Sequence, residues 1–314
     1  VMRSGSMLLL GVAIASIFVI LPIGSRPDIP PHEPKEKPAF NRQGLLRYAV
    51  PIAFSNLFVS ALSFGNRFIV EAYWGIEQVA IYGAAYDIAE RSIFFLNAMM
   101  LLSSSVMAIK VFERDGEEAA ATMLAALLRF YMLIAGIVVT AASVLADPII
   151  WLLLPPSYHA GAIILPIVST GAVIVGIMHR YSLILSFHKR TDIILVCTII
   201  ALAANLGASM VIVPRYGIVG GAIGSLSGYL VWFIAIRLSV RKFHAPRFPW
   251  LSLLRLSLAC VAAGAAMYIV ADRSLVGIIF ALAIGGIAYG VTLLVTGEIS
   301  RRELAALAQF GNHA

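Results

Sequence analysis

The chain has 314 residues, of which 61% are hydrophobic and 12% are charged, and its 23 Lys and Arg against 16 Asp and Glu give a net charge of +7. Soluble domains carry about 25% charged residues, so this composition excludes an ordinary soluble protein and indicates a membrane protein. In a membrane protein, a positive balance is explained by topology and by attraction to anionic headgroups. We therefore expect membrane lipids as partners and no nucleic acid.

Long apolar segments run through the whole chain. A helix needs about 20 apolar residues to cross the hydrocarbon core, and segments of about this length recur nine times. The pattern predicts an all-α polytopic membrane protein with about nine transmembrane helices, at residues 6–23, 48–70, 79–109, 119–146, 160–187, 192–213, 217–236, 250–271 and 274–296.

The Lys and Arg residues between these segments alternate in position along the chain. Fifteen lie in every second connection or after the last segment, whereas only Arg3, Arg215 and Arg273 lie in the remaining connections or before the first segment. Cytoplasmic loops carry the excess of Lys and Arg. We therefore expect a multi-pass protein of the inner (cytoplasmic) membrane, with its C-terminus in the cytoplasm and its N-terminus outside.

The connection after the first segment differs in composition from the others. Residues 25–38 combine several prolines with charges, which indicates an extended linker. Residues 25–47 are thus predicted to form a cytoplasmic linker and a short interfacial helix, and residues 298–314 a cytoplasmic amphipathic tail. An outside N-terminus so close to the first segment is unusual, and we expect the chain to be cut from a longer one.

Polar residues form a stripe on one predicted helix and a comparable face on the next. Their spacing places them on one side of each helix. A charged side chain at the bilayer centre costs about 2.5–3.5 kcal/mol on insertion scales, so these groups should face each other or water. The residues are Asn56, Ser60, Ser63 and Arg67 on the first helix, and Asp87, Glu90, Arg91 and Asn97 on the second.

Two interpretations of this polar cluster remain open. Arg67 with Glu90, and Asp87 with Arg91, could form ion pairs that only hold two helices together. Alternatively, the cluster lines the cavity of a transporter, because ionisable residues within the membrane mark substrate or ion pathways. Arg129 and Arg180 lie closer to a cytoplasmic helix end, where their side chains could instead reach the interface.

Other residue patterns are more easily explained by packing. Two rows of small residues between Gly217 and Gly228 would allow close approach of a neighbouring helix. Cys197 and Cys260 lie in apolar segments, and the six histidines lack the spacing of metal ligands. We expect no disulfide, no metal site and no cofactor.

Several segments together resemble a known family in the same order along the chain. The resemblance covers roughly residues 41–297, and no single motif is diagnostic. It is carried by Asn66–Val70, Ala80–Ala89, Pro156–Tyr158, Lys189–Thr191, Asn205 and Pro214–Ala222. These segments are similar to the C-terminal half of bacterial polysaccharide and O-antigen flippases, which belong to the multidrug, oligosaccharidyl-lipid and polysaccharide (MOP) exporter superfamily.

The resemblance implies an architecture of two six-helix lobes around a central cavity, followed by two extra helices. In this chain, residues 1–24 would be a leading helix, residues 48–242 the six-helix C-terminal lobe, and residues 243–297 the two additional helices. Most of the N-terminal lobe would be missing. The family's usual Asp-Arg pair is here Asn66-Arg67, so an acidic partner for Arg67 must come from elsewhere, and Glu71 and Glu90 are candidates.

The resemblance also implies a function, namely transport of a polyprenyl-diphosphate-linked oligosaccharide across the membrane for polysaccharide biosynthesis. Arginine suits the diphosphate because its guanidinium stays charged and binds oxygens bidentately. The candidate cavity residues are Arg67, Arg91, Asn56, Ser60, Ser63 and Asn97, and Asp87 and Glu90 are candidates for proton or sodium coupling. Polysaccharide polymerase and other export machinery are further candidate partners.

Three alternatives to a flippase remain. The first is a multidrug or cation antiporter of the same superfamily, whose cavity would favour acids. The second is a membrane polysaccharide polymerase or glycosyltransferase, although the longest outside connection, residues 147–159, offers only Asp147, Tyr158 and His159. The third is a non-transporting remnant, which the missing helices would explain. We expect a protein that is not an enzyme.

Overall fold

The computed structural model describes residues 42–298, and no β-strand occurs among them. Of these, residues 44–298 belong to one compact unit. The predicted leading helix, the Pro-rich linker up to residue 41 and the tail after residue 298 lie outside the described residues.

The described chain is a series of long helices joined by short connections. Six helical stretches are long and apolar enough to cross a membrane. The α-helices are α1 (Arg42–Asp115), α2 (Glu117–Val144), α3 (Ala146–Leu153), α4 (Leu165–Phe187), α5 (Thr191–Ser239), α6 (Trp250–Val270) and α7 (Leu275–Val295), with 3-10 helices at Pro156–Ile164 and Val240–Lys242.

Helix α1 folds back on itself at Gly75. A straight helix of its 74 residues would be about 110 Å long, far more than the roughly 30 Å of a hydrocarbon core. Gly75 has a positive φ of 81°, which interrupts the helix, and Arg67 lies 2.7 Å from Asp87 although 20 residues separate them. We call the two arms α1a (42–74) and α1b (76–115).

Helix α5 makes a similar reversal at Gly217, where φ is 55°. Its arms, α5a (191–216) and α5b (218–239), pack tightly against each other. A methyl group added to Gly220 or Gly228 would lie only 2.7 Å from atoms of Val213 or Asn205 in the other arm. This confirms that the small residues serve close packing of helices.

At both reversals, a connection that the sequence predicted to be a loop is helical. Residues 71–78 and 214–216 were expected to be loops, but the helix continues to a single glycine in both places, because one residue with positive φ is enough to redirect the chain. Counting the two arms of each bent helix separately turns six spans into eight. These correspond to the eight segments predicted after the first one.

The connections predicted to be cytoplasmic meet at one end of the unit, which we call the basic end. The rings of Phe112 and Phe187 stack with centroids 4.8 Å apart, and those of His188 and Phe243 are 4.3 Å apart. Glu117 lies 3.5 Å from the ring nitrogens of both His188 and His244. Three connections from different parts of the chain are therefore joined here.

Buried apolar side chains form two main cores in the described unit. One surrounds Leu128, Tyr181 and Trp232 and joins α2, α4, α5b and α6. The other surrounds Tyr82 and Ile150 and joins α1b, α3, the start of α4 and the bend of α5. The candidate site described below lies among α1a, α1b, α4 and α5b, which these cores hold in place.

Helices α6 and α7 pack together and attach to α2. At the end opposite to the basic end, Arg273 lies 2.9 Å from Asp147, and midway the Tyr289 hydroxyl donates to the Leu133 carbonyl at 2.7 Å. The two helices are thus tied to the rest of the unit at separate levels.

At the basic end, Glu298 connects the end of α7 to α2 and α6. Gly297, with φ of 67°, terminates α7, and the Glu298 amide donates to the Leu293 carbonyl, as in a Schellman cap. The buried Glu298 carboxylate lies 2.6 Å from Arg129 and 3.3 Å from Arg255. Burial alone would raise the pKa of the Glu298 carboxyl, but hydrogen bonds from Ser252 and Arg129 and the charge of Arg129 lower it below its usual value.

Candidate functional site

The polar cluster predicted on two helices forms across the α1 hairpin. The Arg67 guanidinium donates to the Asp87 carboxylate at 2.7 Å. The predicted pairs were therefore wrong: neither Glu90 nor Glu71 is the partner of Arg67, and no ion pair between Asp87 and Arg91 is present among the described residues. The bend at Gly75 sets a register between the two arms that spacing along the chain could not reveal.

Arg67 keeps binding capacity beyond its ion pair. The side chain is 26% exposed and that of Asp87 is 44% exposed. The guanidinium carbon lies 4.9 Å from the centre of the Phe64 ring, and Nε is buried without a hydrogen-bond partner, so the exposed part of the guanidinium is what a ligand could reach. Since an arginine offers five N–H donors, a second anion could bind beside Asp87 or replace it.

Next to this pair lies a partly open cavity of about 450 Å³ lined by α1a, α1b, α4 and α5b. Its size falls in the range of about 300–1,000 Å³ that is common for small-molecule sites. Apolar side chains form most of the wall, and a few polar groups interrupt it. These polar groups are Ser63, Tyr86, Glu90, Asn97, His179 and Tyr229.

Most polar groups of the cavity are already hydrogen-bonded to one another or to the backbone. The Tyr86 and Tyr229 hydroxyls are 3.0 Å apart, and Ser63 lies 3.4 Å from Tyr229. The Asn97 amide donates to the Ala172 carbonyl at 3.1 Å and accepts from the Tyr131 hydroxyl at 2.7 Å. These bonds fix the shape of the cavity.

The structure brings together only some of the residues predicted for the site. Ser63, Glu90 and Asn97 line the cavity, and Arg67 and Asp87 form the adjacent pair. The remaining candidates, Asn56, Ser60 and Arg91, are exposed and do not line it. The stripe on α1a is therefore accessible and not packed against apolar helices.

Sequence reasoning missed four aromatic residues of the cavity, namely Tyr86, Phe94, His179 and Tyr229. Tyr86 lies one helical turn before Glu90, so a search for neighbours at i−4 could have found it. His179 ends a stripe with Val168, Ala172 and Val175 on α4, and no polar pattern marks that stripe. Tyr229 follows a row of small residues that indicates packing only.

Asn66, beside Arg67, serves a different purpose. Its side chain is fully buried. It donates to the Gly221 carbonyl at 3.0 Å and to Ser225 at 2.8 Å, and it accepts from Ser209 at 2.9 Å. The amide therefore fastens α1a to both arms of α5.

Of the two arginines predicted nearer to a cytoplasmic helix end, Arg129 has a side chain that is 35% exposed, whereas Arg180 is buried. Arg180 is only 2% exposed; it donates to the Gly176 carbonyl, and its guanidinium carbon lies 4.0 Å from the centre of the Tyr131 ring. Arg129 is paired with Glu298. The alternative that these side chains extend to the interface is thus wrong for Arg180, which is held by packing in the lobe.

Metal binding has little support in this part of the molecule. Between residues 42 and 298, no group of three or more His, Cys, Asp or Glu side chains is arranged to hold a metal ion. The two cysteines, Cys197 and Cys260, are both free thiols.

Comparison with solved structures identifies the fold. The lipid II flippase MurJ, in an inward closed conformation, superposes with a TM-score of 0.62 and 17% sequence identity. The chain shares the fold of MOP superfamily transporters. A MOP superfamily transporter from Pyrococcus furiosus, described as having a binding pocket of reverse polarity that suggests a different function, superposes with a TM-score of 0.56 and 14% identity.

The chain is shorter than these transporters. The superposition covers 86% of this chain and 58% of MurJ, and 81% of this chain and 62% of the Pyrococcus transporter. No family model and no curated protein matches the sequence. The likeness therefore establishes the fold, and the chain spans about three fifths of the length of these two transporters.

Proposed function

We propose that this chain belongs to a flippase that moves a polyprenyl-diphosphate-linked oligosaccharide across the cytoplasmic membrane for polysaccharide biosynthesis. The fold supports transport, since both solved relatives are transporters and one of them flips lipid II. The ordered sequence motifs support the polysaccharide branch.

The observation that carries the proposal is the accessible pair of arginines on the α1 hairpin. Arg67 is half-buried beside Asp87, and Arg91 is exposed on the other arm, with no ion pair to another described residue. A lipid-linked oligosaccharide has an anionic diphosphate, a polar glycan and an apolar tail that can stay in the bilayer. Two arginines with accessible side chains on one hairpin suit such a headgroup.

Asp87 has a specific role in this proposal. It neutralises Arg67 when no substrate is bound, which lowers the cost of holding that charge in the membrane. A diphosphate would compete with Asp87 for the guanidinium, so that release of the carboxylate accompanies binding. Asp87 and Glu90 are the proposed sites for a coupling proton or sodium ion.

The uncharged candidates would contact the glycan. Asn56 and Ser60 are exposed on the same arm as Arg67, and Ser60 donates to the Asn56 carbonyl at 3.1 Å. The side-chain amide of Asn56 and the oxygen lone pairs of Ser60 suit sugar hydroxyls. Ser63 and Asn97 would act indirectly, by holding the cavity wall beside the arginines. Ser63 is hydrogen-bonded to Tyr229, and Asn97 is hydrogen-bonded to Ala172 and Tyr131.

A membrane glycosyltransferase or polymerase is less well supported. Of the residues that could have formed an active site outside, Asp147 is paired with Arg273 at 2.9 Å, and the His159 ring lies 3.3 Å from the Leu154 carbonyl. These contacts connect helices and leave no free acid and base close together. We propose that the protein is a transporter and not an enzyme.

Lipid binding by the purified chain tests this proposal. The lipid-linked oligosaccharide should bind more tightly than the same polyprenol without its diphosphate. Because a hydrogen bond to a charged group contributes about 1.5–3 kcal/mol, Arg91→Ala should weaken binding by at least roughly tenfold. Asp87→Asn should strengthen it, because Arg67 is then freed.

Arg215→Ala is the matched control, since Arg215 is also an exposed arginine but lies at the bend of α5. Its affinity should equal that of the unchanged chain. Equal affinity for the lipids with and without diphosphate would contradict the proposal.

A further inference from the structure

Another cavity lies at the basic end of the unit, apart from the α1 hairpin. It has a volume of about 360 Å³ and lies between the first turns of α2 and the connection that leads into α6. The residues from α2 are spaced at i, i+3, i+4 and i+7, so they share one face of the helix. The lining residues are Glu118, Ala121, Thr122 and Ala125 of α2, and His244, Ala245 and Arg247 of the connection.

Contacts outside the cavity hold its two walls in place. The backbone amide of His244 donates to the Glu117 carboxylate at 2.9 Å, which fastens the connection to the start of α2. Ala245 and Phe248 pack against the larger apolar core. The space between the walls is therefore defined by the packing of the unit.

Groups of opposite charge line this cavity without neutralising each other. Glu118 and Arg247 are both exposed, and neither their carboxylate nor their guanidinium forms an ion pair or a hydrogen bond with another residue between 42 and 298. The neighbouring Glu117 differs, because it is already occupied by His188 and His244. A ligand that carries one cationic and one anionic group would pair with both free charges at once.

The cavity lies at the level where the headgroups of a bilayer are expected. Two membrane-spanning helices begin beside it, α2 at Glu117 and α6 at Trp250. Trp250 is 72% exposed, and its ring lies 4.6 Å from that of Phe248; tryptophan is enriched where a membrane meets water. Further along α6, the exposed Leu251 and Leu254 offer an apolar surface for acyl chains.

We propose that this cavity binds the headgroup of a zwitterionic phospholipid with a primary amine, phosphatidylethanolamine, with Arg247 at the phosphate and Glu118 at the ammonium. An arginine binds phosphate oxygens bidentately, and an ammonium donates hydrogen bonds to a carboxylate. The ligand is a lipid of the surrounding bilayer and not a transported one. The site does not depend on the flippase proposal, because no residue of the α1 hairpin lines it.

Two lipids with the same acyl chains test the proposal. The full chain in detergent is titrated with dioleoyl phosphatidylethanolamine or dioleoyl phosphatidylglycerol, and the lipid bound per protein is counted by native mass spectrometry. Phosphatidylethanolamine should bind about fivefold more tightly, which is the upper end for an exposed ion pair, because phosphatidylglycerol has no ammonium group. Equal affinity of the two lipids would overturn the proposal.

Matched variants assign the binding to this cavity. Arg247→Ala should weaken binding of both lipids, whereas Arg241→Ala, at an exposed position that does not line the cavity, should weaken neither. Glu118→Gln should weaken binding of phosphatidylethanolamine alone, and Glu113→Gln, also at an exposed position outside the cavity, should leave the preference intact. All four positions are exposed, so none of these changes should unfold the protein. An unchanged preference in Glu118→Gln would place the lipid elsewhere.

The headgroup without acyl chains separates a membrane lipid from a soluble ligand. Glycerophosphoethanolamine should displace the bound lipid only at far higher concentrations than a short-chain phosphatidylethanolamine, because it lacks the apolar contacts of the acyl chains. Displacement by both compounds at equal concentrations would identify a soluble phosphate compound as the ligand and would contradict a lipid site.

Discussion

Asn66 illustrates, at the scale of one residue, how the lobe is fastened. Its amide makes three hydrogen bonds, to Gly221, Ser225 and Ser209, and is fully buried. Removing the amide would leave the buried Ser209 and Ser225 hydroxyls without this partner, and an unsatisfied buried polar group costs about 1–3 kcal/mol. Asn66 therefore contributes stability rather than a binding surface.

We predict that Asn66→Ala lowers the free energy of unfolding by about 1–3 kcal/mol and reduces the melting temperature in detergent. Asn56→Ala is the matched control, because Asn56 is exposed on the same arm; it should leave the melting temperature unchanged. Equal melting temperatures of the two variants would show that the hydrogen bonds of Asn66 are not important for stability.

The sequence indicated which membrane-spanning helices carry a polar face, but it did not indicate which residues those polar side chains contact. The helical spacing placed Ser63 on the polar stripe of one helix and Glu90 and Asn97 on the polar face of the next, and the structure brings these three residues to one cavity. It did not identify Asp87 as the partner of Arg67, because that pairing depends on the exact register of two antiparallel arms. Arg180 was misjudged for a similar reason, since its burial depends on α2 packing over it.

At the scale of the helices, Gly75 and Gly217 define the architecture. Each adopts a positive φ that allows a long helix to reverse within one residue. The apolar lengths of the arms were predictable from composition, because a membrane span has a fixed minimum length. Whether the chain reverses in a loop or at a single glycine was not predictable, because the two arrangements have the same hydropathy.

Cysteine labelling tests the orientation of these helices. With Cys197 and Cys260 replaced by Ala, we predict that Asp115→Cys and His244→Cys react only from the cytoplasm, because the basic end should face inside. Glu77→Cys and Ala160→Cys, at the other end, should react only from outside. Labelling of the second pair from the cytoplasm would reverse the proposed topology.

At the scale of the whole molecule, the chain corresponds to about three fifths of the transporters that it resembles, with 58% and 62% of their lengths covered. Alternating access generally requires one bundle to move against another around a central site. In the described part, the α1 hairpin presents Arg67, Arg91 and Asn56 on an accessible surface. We propose that this surface faces the substrate path.

The overall fold was predictable because nine apolar segments and the alternation of basic connections restrict a membrane protein to few topologies. The resemblance in ordered motifs added the MOP-like architecture, which the solved structures support. The intralobe cavity was not predictable, since its wall combines residues of four helical arms whose packing no periodicity encodes. The predicted leading helix and tail stay predictions.

The flippase role is tested most directly by changing Arg67 and Arg91 in the chromosomal copy and measuring surface polysaccharide together with the membrane level of the protein. Arg67→Ala and Arg91→Ala should each reduce surface polysaccharide strongly at nearly unchanged protein level, and Arg→Lys should restore it only partly, because the bidentate fork is lost. If Arg67 only joined two helices, the Ala variant would first lose protein, and removal of Asp87 as well would restore it. Normal surface polysaccharide in both Ala variants at normal protein level would contradict a substrate-binding role for either arginine.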